Sequence, residues 1–82
     1  MSNFESDKTF TILLEKIEKI VLKILYDEKS VKSLKMLTDK ILEKAINERI
    51  TISEKPIIQI IYQLNKEEKI IFTQKDGWRI RI

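Results

Sequence analysis

Charged side chains make up 35% of the 82 residues, so the first question is whether any of them are placed to make or break bonds. Adjacent carboxylates occur at Asp27-Glu28 and Glu67-Glu68, the kind of pair from which acid–base catalysis or a cation site is built. Ser30, Ser33 and Ser53 carry hydroxyls that an adjacent base would turn into nucleophiles. The chain contains no histidine and no cysteine. There is thus no imidazole to activate a hydroxyl, no thiolate and no disulfide, and the commonest metal ligand is missing. Both acid pairs fall at the expected ends of elements, where such pairs serve as solubilising charge. The serines precede helical runs and read as caps. With Gly77 the single glycine, no glycine-rich loop can cradle a phosphate. No catalytic centre, metal site or cofactor is expected, which leaves the chemistry of binding.

Length and charge narrow the kind of binding. A chain of this size forms one domain and buries roughly 60% of its unfolded surface. Its 43% hydrophobic content fills a core, and one glycine and one proline indicate a helical domain. The net charge of +3 is unevenly spread. Residues 1–29 hold five basic and six acidic side chains, residues 30–49 five and three, and residues 50–82 six and four. The basic excess therefore lies in the second half, a mild bias that permits nucleic acid without requiring it. No apolar run approaches the roughly 18 residues of a membrane span, and MSNFESDK lacks the basic and apolar regions of a secretory signal. A cytoplasmic protein without a membrane partner is expected.

Hydrophobic spacing predicts the elements. Phe10, Leu13, Leu14, Ile17, Ile20, Val21, Ile24 and Leu25 recur at intervals of three and four, predicting an amphipathic helix over about Thr9–Asp27 behind a short tail, residues 1–8. Glu15, Lys16, Lys19 and Lys23 form its polar side. Ile12, Leu22 and Tyr26 widen the apolar stripe, either as the edge of the core or as a surface for a partner. Leu34, Leu37, Ile41, Leu42, Ala45 and Ile46 predict a second helix through about Asn47, capped by Ser30 or Ser33. Val31-Lys32 suits a short first strand, and Ile50 and Ile52 alternate as a few residues of strand would. A third helix follows, with Ser53 as its cap, Pro56 in its first turn and its end near Glu67 or Glu68. Its core stripe is Ile57, Ile60, Ile61 and Leu64.

Asp76-Gly77 is the strongest turn signal, because hairpin turns require the positive φ that glycine tolerates. It joins Lys69–Gln74 to Trp78–Ile82. Trp78, Ile80 and Ile82 alternate with Arg79 and Arg81, so the arginines and the apolar residues take opposite faces. A three-residue loop, Lys75–Gly77, puts Ile70 and Phe72 on the apolar face; a two-residue loop puts Ile71 and Thr73 there. The first buries more apolar surface and is preferred. Trp78 is expected in the core.

Read together, ITISEKPIIQIIYQLNKEEKIIFTQKDGWRIRI resembles the recognition helix and wing of the winged helix-turn-helix superfamily, and the resemblance extends over residues 9–82. It implies an α+β fold, a small three-helix bundle followed by a C-terminal two-stranded β-hairpin wing. In DNA-reading members the third helix and wing contact DNA, which implies double-stranded DNA as partner and contacts from Lys55, Gln59, Tyr62, Gln63, Lys66, Lys75, Arg79 and Arg81. Scaffold members of the ESCRT or PCI type use the same surface for a protein partner, which implies Ile58 and Tyr62 as its centre. Many members also pair through added helical surface, implying a homodimer through Ile12, Leu22 and Tyr26.

Overall fold

The computed structural model describes residues 3–81, with side chains from residue 10 onward. The elements are α1 (Asn3–Glu28), α2 (Leu34–Asn47), α3 (Glu54–Lys66), β1 (Ile70–Thr73) and β2 (Gly77–Ile80). Three helices followed by an antiparallel hairpin make the expected α+β, winged-helix-like layout. Of the expected tail, Met1 and Ser2 lie outside the described residues, as does Ile82 at the other end; from Asn3 the backbone is already helical. The segment Asn3–Lys8 contains no proline or glycine to interrupt it.

One core joins all the elements. Ile17, Val21 and Leu25 of α1, Leu37, Ile41 and Ala45 of α2, Ile57, Ile61 and Leu64 of α3, and Ile70 of β1 are sealed from solvent, with Val31 and Trp78 beside them. The sequence stripe on α3 is buried in full. Two stripes overshoot. A helix of 26 residues spans about 39 Å at 1.5 Å per residue, far longer than α2 or α3, so Phe10 near its start extends past the bundle and stays half exposed. Ile46, expected in the α2 stripe, is 70% exposed, because it follows Ala45 by one residue and so points away from the buried face set by Leu37, Ile41 and Ala45. Thr38 takes an interior place instead, its hydroxyl donating to the Leu34 carbonyl at 2.8 Å.

Caps explain the helix boundaries. Ser33 starts α2 with its Oγ accepting from the Met36 amide at 3.1 Å, which settles the choice between Ser30 and Ser33. Ser53 occupies the N-cap of α3 in extended conformation, but its side chain makes no capping bond. At the other ends, Lys29, Arg49 and Glu68 take φ of 74°, 60° and 64°, left-handed values usually left to glycine. Ile50 N–H bonds back to the Ala45 carbonyl and Lys69 N–H to that of Leu64, closing each last turn. That bond turns Ile50 inward, and residues 50–53 form no strand.

In the hairpin, Ile70 faces Ile80, Ile71 faces Arg79, Phe72 faces Trp78 and Thr73 faces Gly77. The apolar face is the expected one, Ile70 and Phe72 with Trp78 and Ile80. The loop, however, is Gln74–Asp76, one residue earlier than expected, because Gly77 pairs with Thr73 and the Thr73 Oγ1 accepts from the Asp76 amide. Val31 supplies the short first strand as a single bridge to Trp78, with N–H···O bonds of 2.9 and 2.7 Å in the two directions. Lys32 adds a bond from its Nζ to the Lys75 carbonyl at the hairpin tip.

Gly77 has φ +84°, and a Cβ there would overlap the Val31 carbonyl and lie 2.6 Å from Lys32 Cα. Gly77→Ala is therefore expected to destabilise the fold by at least about 2 kcal/mol in denaturant titration. Arg49→Gly should have the opposite sign, a gain of about 0.5–1 kcal/mol, since it relieves a left-handed residue with a side chain.

Candidate nucleic-acid interface

With Ile57, Ile60, Ile61 and Leu64 directed into the core, the remaining side of α3 is set by helical geometry. Lys55, Gln59, Tyr62, Gln63 and Lys66 are all exposed on it, and Ile58 is half-buried at its border. Lys55, Gln59 and Lys66 form no side-chain hydrogen bond or ion pair among the described residues, so no fold contact must break before they meet a ligand. Gln63 is engaged locally, donating its amide to Glu67 Oε2 at 2.8 Å. That bond is the largest cause of a Glu67 carboxyl held below its ordinary value; desolvation opposes it, and Lys69, with Nζ 3.5 Å from the Glu67 Oε1, adds to the lowering. Lys69 also reaches Glu18 of α1 at 3.7 Å.

Tyr62 sits where α3 meets the hairpin. Its ring centroid is 6.2 Å from that of Trp78, and Phe72 stacks at 5.1 Å on the same indole, both tilted, which is favourable aromatic geometry. Trp78 is only 5% exposed, while Tyr62 and Phe72 are about half exposed, so the pair forms an apolar step beside the polar face of α3. The Trp78 Nε1 is buried without a hydrogen-bond partner among the described residues. Phe72 went unnoticed as a surface residue in the sequence, since its strand alternation assigned it to the core face. The hairpin is short enough that this position reaches beyond the bundle.

The two arginines stand apart from this surface. Strand alternation puts Arg79 and Arg81 on the face opposite Phe72 and Trp78. Arg81 Nη1 bonds Glu68 Oε1 at 2.7 Å. Arg79 lies with Leu25, Tyr26, Lys29 and Ile80 along the C-terminal end of α1; its Nε is occluded, with Asp76 Oδ2 at 3.9 Å, close enough for attraction but not for a hydrogen bond. Such exposed pairs contribute at most about 1 kcal/mol, so they do not lock the arginines. Their position, rather than their pairing, separates them from Gln59 and Tyr62. Lys75 is exposed at the hairpin tip with no ion pair among the described residues.

On α1, Ile12 and Tyr26 are 50% and 65% exposed, while Leu22 packs partly against the core. The three share one side of the helix, but Glu15 and Lys19 lie between them, so the strip is discontinuous. Tyr26 is covered by the Lys29 ammonium, 5.4 Å from its centroid. Among the described residues no group of acidic side chains is placed to hold a metal ion, and no helix is long and apolar enough to cross a membrane.

In Gln63→Ala, loss of the amide donor removes the chief stabilisation of the Glu67 carboxylate, so Glu67 should titrate at higher pH than in the parent protein, as followed by carboxyl NMR. Compared with protein-family models, with curated proteins and with solved structures, the chain finds no match.

Proposed function

We propose that this chain is a non-catalytic binding module of the winged-helix type whose outward α3 surface engages double-stranded DNA. The observation that carries this reading is that Lys55, Gln59 and Lys66 project from one side of α3 with no side-chain hydrogen bond or ion pair among the described residues, beside Gln63 and Tyr62. Glutamine amides present the paired donor and acceptor that an adenine edge matches, and the flanking lysines suit phosphates on either side. Lys75 extends the same function at the wing tip. Arg79 and Arg81 belong to the other face of the wing and contribute to backbone attraction rather than to base reading.

A protein partner is the second reading, favoured by one observation: the half-exposed step of Tyr62 and Phe72 around Trp78, bordered by Ile58. Aromatic side chains on a rigid base are typical anchors of protein interfaces.

The two readings separate in a duplex-binding titration across a salt series. For DNA, Lys55→Ala with Lys66→Ala should lower the slope of log affinity against log salt by about 2, and Gln59→Ala should cost about 1–3 kcal/mol at a preferred site. If these variants bind duplex as the parent does, while Ile58→Asp or Tyr62→Ala abolishes capture of a protein partner, the α3 surface is a protein-docking face.

A further inference from the structure

A second basic surface lies away from α3 and the hairpin. Lys16, Lys19 and Lys23 fall at helical intervals of three and four on one side of α1, and Lys44 approaches them from the last turn of α2. With Ile20, Glu48 and Ile50 they line an open groove of about 320 Å³. Four lysines thus meet one carboxylate there. Lys23 is paired with Asp27 at 3.1 Å, but Lys16, Lys19 and Lys44 have no ion pair or side-chain hydrogen bond among the described residues. All four are exposed. Apart from the Lys23–Asp27 pair, no contact among the described residues uses this charge, and gathering like charges opposes folding, so an anionic ligand is the arrangement that relieves it.

The form of the groove selects among anions. It is open and floored by two isoleucines, and lysines are flexible point charges without the planar fork that grips one phosphate in fixed geometry. Lys16 to Lys23 spans about 10 Å along the helix axis, the length over which one strand of duplex DNA presents about three phosphates at 3.4 Å each. The two isoleucines of the lining are buried (Ile20) or half-buried (Ile50), so the lining offers no exposed aromatic or aliphatic side chain of the kind a bilayer surface would require. We infer that the α1–α2 groove is a sequence-independent docking surface for the phosphate backbone of duplex DNA, separate from the surface that α3 presents. The inference shares with the proposed function only the premise that the partner is nucleic acid.

The test compares the parent 82-residue chain with two triple variants, Lys16→Ala/Lys19→Ala/Lys44→Ala and Lys55→Ala/Gln59→Ala/Lys66→Ala, on a labelled random-sequence duplex across a salt series. Thermal melting serves as the fold control, and the groove variant should melt no lower than the parent, since it loses only exposed, unpaired lysines. Loss of three phosphate contacts should lower the salt slope by about 2.7 and weaken low-salt binding by roughly tenfold or more. Unchanged binding by the groove variant, with loss in the α3 variant, would overturn the inference and leave the proposed function standing. The reverse pattern would support the groove and remove α3 as the DNA surface. Absence of parent binding at low salt would end both. Equal competition by poly-glutamate or by anionic vesicles would overturn the assignment to DNA.

Discussion

Two hydrogen bonds between Val31 and Trp78 hold the molecule in its working shape. Without them the hairpin would keep only its side-chain packing on the bundle, and a two-stranded ribbon is marginal on its own. The bridge makes β2 a central strand, sets Trp78 against the core, and so fixes where Tyr62 and Phe72 meet it. Gly77 permits the bridge, because its neighbour's carbonyl occupies the space of a side chain. The relation of wing to α3, on which any surface shared by the two depends, follows from one residue pair and one missing Cβ.

Local pattern in the sequence was enough for the elements. The period of Ile57, Ile60, Ile61 and Leu64 marked both the existence and the buried side of α3, and alternation from Trp78 to Arg81 marked the faces of β2. What escaped was set by distance through space. The hairpin loop moved because Thr73 bonds across it to the Asp76 amide, and turn signals alone do not weigh that bond. Phe10 kept the period of a core stripe yet remained outside, because a period identifies a helix side and not how far the neighbouring elements reach, whereas Ile46 follows buried Ala45 by one residue and so turns away from the core. Ends of helices were visible in outline only. Their closing residues are Lys29, Arg49 and Glu68, types that carry no stop signal.

The candidate site divides along the same line. Exposure of Lys55, Gln59, Tyr62, Gln63 and Lys66 follows from the stripe opposite them and was readable from spacing. The separation of Arg79 and Arg81 from that side of α3 was half readable: alternation assigned them a common face, but only the packing of the hairpin tells which element that face meets. Convergence of Lys44 on the lysines of α1 is a tertiary event between helices whose polar residues each look like ordinary solvated charge.

The clasp between loop and wing also has an entropic cost. Lys32 and Lys75 lie 43 residues apart, and their contact belongs to the same closure as the Val31–Trp78 bridge. Helical turns close within their own short spans, whereas this closure ties together residues far apart in sequence, at a loop entropy that grows only slowly with length. Packing α3 against α1 closes a span of similar length, so the wing and the bundle carry loop costs of the same order, and the surface they share exists only when both closures are made.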